Sequence, residues 1–213
     1  MSKEIIVEIL KNNEKFASER GENYFKLHST SQQPKITLVS CCDSRVQPGI
    51  IEPDPINKIF TVETIGNQMT SAQGSVDYGV LHLHTPVLLI MGHTDCGAVK
   101  AFMKGYDKEN DAIKRELDNM KPSLKALAIG ADFNVELIGN IKKNVDYQAG
   151  VAIERYSKLI EDGSLMVIGA VYDFQNAFGK GYGRLLIRSI NGKTGLMRED
   201  MLSCGVDLKD AVV

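Results

Sequence analysis

Cys41, His93 and Cys96 are the residue types from which a catalytic metal centre is built. Two thiolates and an imidazole suit zinc by ligand softness and disfavour magnesium and calcium. A catalytic zinc takes three such protein ligands and leaves its fourth position open to water. His93 and Cys96 are three residues apart, a spacing that lets both side chains converge on one ion in a strand-to-helix turn. Cys41 opens the string Cys41-Cys42-Asp43-Ser44-Arg45. Asp43, two residues past Cys41, can reach the fourth position, and Arg45 can hold the Asp43 carboxylate bidentately. Each half alone is a weak signal: a lone thiol is more often a small buried hydrophobe, and a surface Asp–Arg pair is worth little. Their value lies in where the chain places them together.

For these side chains to meet, two strands must end side by side. Lys35–Ser40 is a β-rich run that follows Pro34 and stops at Cys41, and Val87–Met91 is an apolar strand that runs straight into Gly92-His93. Lys58–Glu63 predicts another strand, ended by Gly66-Asn67; Leu165–Val171 and Arg184–Ile190 predict two more. Helical spacing predicts helices over 3–19, over Ser75–His84 up to Pro86, over 98–103, through the polar stretch 108–128 with a break at Pro122, and over Val135–Ile160, punctuated by Gly163. Strands alternating with helices predict a single α/β domain with a central, mostly parallel sheet of about five strands flanked by helices. The loop before the last strand is too short for a crossover helix, so that strand should form an antiparallel edge. In such sheets ligands gather at the carboxyl ends of the strands, where Cys41 and His93 both fall. Gly179-x-Gly181-x-Gly183 precedes a strand rather than opening a helix, so it reads as a turn and not as a dinucleotide fingerprint.

The 213 residues carry 25 basic and 27 acidic side chains, a net charge of −2 that gives no basic footprint for nucleic acid. No apolar run approaches the ~20 residues of a membrane span, and charges scattered through the N-terminus leave no signal-peptide core. The expected location is cytoplasmic. Four cysteines, two of them adjacent, are too few for a disulfide scaffold and point instead to metal or catalysis. The chain divides by pattern into a helical arm (1–34), which can lie on its own body or on a partner subunit, an α/β core (35–190) and a C-terminal extension (191–213).

Cys41-x-Asp43-Ser44-Arg45 together with Gly92-His93-x-x-Cys96-Gly97 resembles the β-class carbonic anhydrases. The resemblance extends to Ser75-Val-Asp-Tyr-Gly-Val80, to Asn144-Val145-x-x-Gln148 and to Gly169-Ala-Val-Tyr-Asp173, and spans about residues 35–190. It implies one zinc per subunit on Cys41, His93 and Cys96, with Asp43 and Arg45 as the dyad beside the zinc-bound water. Zinc-bound hydroxide would then attack CO2 to give bicarbonate and a proton. Gly97 would allow close backbone approach near the substrate, and Gln73 is the candidate for a substrate-orienting amide. Cys42 falls at the variable position and stays outside the metal site. The family's assembly implies a homodimer or a dimer of dimers, with the helix over 3–19 as the element that reaches across.

Two departures stand out. Glu63-Thr64-Ile65-Gly66-Asn67 replaces the family's Arg-Asn-x-x-Asn segment, and the chain has no Trp. Members with a regulatory bicarbonate site hold it with a Trp and an Arg, so that form of regulation is expected to be missing. Other readings share the ligand set: a carbonyl sulfide or carbon disulfide hydrolase, since both substrates are linear like CO2, or a non-catalytic site closed by Asp43 as fourth ligand. Histidines 82 and 84 read as surface or packing residues and Cys204 as an uninvolved thiol.

Overall fold

The computed structural model describes residues 2–194 and 211–213. Cys204 lies outside the described residues. The chain falls into two compact units, Met1–Gln33 and Pro34–Val213.

The first unit is α1 (Ser2–Leu27), whose regular geometry is interrupted at Gly21, where φ is 72° and ψ 167°. The helix runs past the predicted end at residue 19 because Arg20 and the aromatic pair Tyr24 and Phe25 continue it beyond the kink: Arg20 stacks on Phe16, 3.9 Å from the ring centroid, and Phe16 packs near Phe25. None of its residues is buried.

The second unit is built on β1 (Ile36–Cys41), β2 (Ile59–Thr64), β3 (Val87–His93), β4 (Met166–Asp173) and β5 (Arg184–Ile190). The strand order is β2-β1-β3-β4-β5; the first four strands are parallel and β5 pairs antiparallel with β4. This is the sheet and the edge that the sequence predicts. Both faces are buried, which explains the near-continuous apolar runs of β1 and β3. Leu38, Leu89, Met91 and Ala170 pack on one face with Val46, Ile50 and Ile51 of the loop after β1. Val39, Leu88, Ile90 and Val167 pack on the other against α2 (Gln73–Asp77) and α5 (Phe133–Arg155).

The segment predicted as one helix before β3 is α2 followed by a π-helical turn, Tyr78–His82. The wide turn brings Gly79 against β1: a Cβ there would lie 2.2 Å from Thr37 Oγ1 and 2.9 Å from the Phe60 ring. After β3 come α3 (Gly97–Lys104) and α4 (Asp111–Asp118), the latter capped by the Asn110 side chain on two amides. The polar stretch predicted as helical to 128 is therefore helical only to Asp118. The long helix ends at Arg155, before the predicted Ile160, and a short α6 (Ser157–Glu161) follows the break at Tyr156.

The order of these strands reverses across β1 and β3: the chain leaves β1 for β2 on one side and returns to β3 on the other. Such a switch point leaves a crevice at the carboxyl ends of the two strands. Cys41 closes β1 and His93 closes β3.

Candidate functional site

The crevice holds the sulfurs of Cys41 and Cys96 and a ring nitrogen of His93, all within 4.8 Å of one another and all from buried residues. On a tetrahedral zinc, with metal–ligand bonds of roughly 2.0–2.3 Å, neighbouring donors stand about 3.5–3.8 Å apart, so this spacing fits one ion. Among the described residues no other group of Cys, His and carboxylates gathers in this way. Cys42 is exposed and outside the cluster; its amide donates to the Thr64 carbonyl, and the burial of its thiol and the nearby Cys41 push its pKa up.

The fit rests on the buried imidazole. His93 is fully buried, and its Nδ1 lies 2.8 Å from the Thr94 carbonyl oxygen, which can only accept. Nδ1 therefore carries the proton, and Nε2 presents a lone pair. Nε2 has no hydrogen-bond partner in the protein. A buried acceptor left bare would cost on the order of 1–3 kcal/mol, and a metal ion between it and the two sulfurs removes that cost.

The thiols respond to each other. The hydrogen bond from Cys96 pulls the Cys41 pKa down, with further help from His93 and the Gly66 amide against the effect of burial. The same bond, with burial and the Cys41 charge, pushes Cys96 well up; the amides of Val99 and Ala98 at the start of α3 oppose this. Two sulfurs this close share one proton until a cation takes its place. Gly66, whose amide reaches Cys41, sits at φ +78°, and a Cβ there would strike the Met120 side chain at 2.8 Å.

Beside the cluster, Arg45 grips Asp43 as its sequence position suggests. Arg45 Nε donates to Asp43 Oδ1 at 2.9 Å and Nη2 donates to Oδ2 at 2.8 Å, while the Arg45 amide adds a bond of 3.0 Å to Oδ1. These bonds, the side-chain pair first, hold the Asp43 carboxyl well below the usual range and raise Arg45 above its own. Asp43 Oδ2 stands 4.0 Å from His93 Nε2, at the edge of the ligand cluster.

The remaining expected positions divide. Gly97 starts α3 beside Cys96, and a Cβ on it would meet nothing within 4 Å. Gln73 is on α2, with its amide oxygen towards Arg155; it lines a cavity with Met69, Thr70, Val151 and Glu154 that includes none of Cys41, Asp43, His93 or Cys96. His82 packs on Tyr78 at the surface, as predicted.

Sequence reasoning passed over Asp95 and Phe174. Asp95 Oδ2 accepts from Arg45 Nη1 at 3.0 Å, and Asp95 Oδ1 accepts from Lys100 Nζ at 2.8 Å. Phe174 stacks on His93, 5.9 Å between ring centres, and lies 4.5 Å from the Arg45 guanidinium carbon. The available signals were Asp95's place between two candidate ligands and Phe174's place just past a strand's carboxyl end.

A switch-point crevice with a buried Cys-His-Cys donor set and an adjoining carboxylate–guanidinium pair defines an α/β protein with residues that could hold a metal ion. Known proteins say which kind. The carbonic anhydrase family model matches residues 36–180, well over half of the chain. Carbonic anhydrase 2 of Mycobacterium tuberculosis is 26% identical over 175 residues, covering 78% of this chain and 80% of that protein. The Coccomyxa β-carbonic anhydrase solved with acetazolamide superposes with a TM-score of 0.73 at 24% identity, over 94% of this chain and 93% of that one. A tetrameric β-carbonic anhydrase of Sordaria macrospora gives 0.73 at 20% identity, over 86% and 96%. The chain belongs to the carbonic anhydrase family, and its fold is that of the β-carbonic anhydrases.

Proposed function

We propose that the protein catalyses the reversible hydration of CO2 to bicarbonate and a proton, with one zinc per subunit held by Cys41, His93 and Cys96. The observation that carries this is the unpartnered, fully buried Nε2 of His93 facing two thiols beside the Asp43–Arg45 pair. When bound, zinc supplies a Lewis acid that acidifies water to give a hydroxide nucleophile near neutral pH.

The chain's own residues do the rest. His93 is fixed as the Nδ1–H tautomer by the Thr94 carbonyl. Asp43, kept ionised by Arg45, accepts a hydrogen bond from the nucleophile and so directs its lone pair at the CO2 carbon. Two thiolates and a neutral imidazole cancel the charge of the zinc, and a bare Asp43 beside it would oppose hydroxide formation further. The Arg45 charge offsets that penalty. Because both Asp43 oxygens are engaged by Arg45, the geometry favours an open fourth position over a site closed by Asp43. Gly97, with open space beside its Cα, is the proposed point of close substrate approach.

We place the protein in the cytoplasm, as a homodimer or a dimer of dimers. In support, among the described residues no helix is long and apolar enough to cross a membrane, and the Sordaria relative is tetrameric.

Stopped-flow CO2 hydration by the zinc-loaded protein at pH 7 and 8.5, with Cys41→Ser as the blank, tests the activity. Zinc-dependent turnover that rises with pH is expected. Stoichiometric zinc with no turnover at either pH would sink the CO2 reading and turn attention to carbonyl sulfide and carbon disulfide.

A further inference from the structure

The Arg45 guanidinium is restrained on more sides than its partnership with Asp43 requires. Nη1 donates to Asp95 Oδ2 at 3.0 Å, and Nη2 is 3.5 Å from the Asp95 carbonyl oxygen. The ring of Phe174 covers one face, 4.5 Å from the guanidinium carbon. Each restraint is itself anchored. Asp95 sits at φ 60°, a conformation that Asp tolerates, and Lys100 of α3 holds its second oxygen. Phe174 follows Asp173, whose fully buried carboxylate accepts the amides of Gln175, Ala177 and Phe178 and so fixes the loop that presents the ring.

These restraints have work to do because the Arg45 side chain is 46% exposed. An exposed ion pair on a long side chain is worth little by itself and competes with the side chain's own rotamer freedom. Asp43, once released, needs only a small rotation to bring Oδ2, now 4.0 Å from His93 Nε2, into the ligand cluster. There it would complete a closed four-ligand site.

We infer that Asp95 and Phe174 are positioning residues that keep Arg45 on Asp43 and thereby hold the metal's fourth position open. The inference rests on the roles proposed above for the metal ligands and for the Asp43–Arg45 pair.

The test uses the full chain loaded with cobalt(II), which reports binding of azide at the fourth position through its visible spectrum. CO2 hydration by the zinc form and thermal unfolding are measured beside it. Asp95→Gly removes the carboxylate while keeping the backbone conformation, Asp95→Asn keeps one acceptor, and Phe174→Leu removes the ring face. Asp95→Gly and Phe174→Leu are each expected to weaken azide binding about tenfold and to lower kcat by a similar factor with KM little changed, the worth of a charge-assisted contact. Asp95→Asn should stay within about threefold of the wild type, because one acceptor survives.

Folded Asp95→Gly and Phe174→Leu proteins with a lowered melting temperature but wild-type azide affinity and kcat would show a merely structural staple and overturn the inference. So would a wild-type cobalt protein that binds no azide. Wild-type azide binding without CO2 turnover would instead remove the catalytic reading, and the azide comparison among variants would still decide the positioning role. Should Asp95→Gly fail to fold, Phe174→Leu carries the decision.

Discussion

At the scale of single residues, the proposed metal centre is a contest between a proton and an ion for two thiols. Burial and the neighbouring Cys41 favour the protonated form of Cys96, whereas zinc requires the thiolate. As pH falls, the thiol retains its proton more firmly and zinc must displace it, so affinity should fall on the acid side. Chelator competition is expected to show a zinc dissociation constant that rises steadily from pH 8 to pH 6. A constant value over that range would contradict the two-thiolate site. His93→Ala removes the one neutral donor and should weaken zinc at least about 100-fold at pH 7.5, beyond the usual effect of losing an outer-shell partner. The metal content of the purified variant, measured by plasma mass spectrometry, checks this directly.

At the scale of elements, helix and strand ends do most of the positioning, and they also mark where the sequence stops being legible. Cys41, His93 and Cys96 can be read from the chain because few residue types bind zinc and because each follows an unambiguous apolar strand. Asp95 cannot be read so easily, because Asp is common and its partner Arg45 lies 50 residues away. Only the left-handed turn after β3 brings the two together. An aromatic such as Phe174 reads as core until the sheet shows it lying over the crevice. The π-helical turn before β3 is hidden for a similar reason: helical spacing over Ser75–His84 does not reveal one extra residue per turn, nor the close packing of Gly79 on Thr37 that the turn produces. Gly79→Ala is therefore expected to destabilise the fold by about 1–3 kcal/mol through overpacking, seen as a lowered melting temperature. Nearby, Arg155 and Tyr156 at the end of α5 hold Asp77 of α2. The hydrogen bonds from Arg155, then Tyr156, depress the Asp77 pKa against the effect of burial. A depressed carboxylate pKa stabilises the fold above the unfolded value, near 3.9, and that contribution disappears as pH falls through the folded value. Asp77→Asn should thus lower stability by no more than about 1 kcal/mol at pH 7, given the partial exposure of both partners, and the deficit should begin to shrink only below about pH 4 and go on shrinking as pH falls through the depressed folded value. Urea unfolding of both proteins at pH 7, 5, 3.5 and 2 reads the difference; a deficit that stayed the same from pH 5 to pH 2 would assign the loss to packing instead.

At the scale of the whole molecule, the two units present surfaces of different character. The α/β unit buries both faces of its sheet, leaving β2 as an edge strand that pairs only with β1 among the described strands. The helical unit has no interior at all: Ile6, Ile9 and Leu10 of α1 are 57%, 59% and 64% exposed. Each such side chain gains roughly 1.5–3 kcal/mol when fully covered, so a row of them on one helix drives association. The proposed homodimer supplies the cover, since a second copy offers the same row and both copies gain equally. The full chain should therefore scatter light as a particle of at least twice its 23.5 kDa mass. Ile6→Glu with Leu10→Glu replaces the apolar row by charge at positions that carry no buried contact, so the fold should survive. The double variant is expected to run as a monomer with an unchanged far-ultraviolet spectrum. A full chain that scatters at 23.5 kDa over a range of concentrations would show that α1 recruits no second copy. A double variant that remained dimeric would move the interface to another surface, with the open β2 edge as the next to alter.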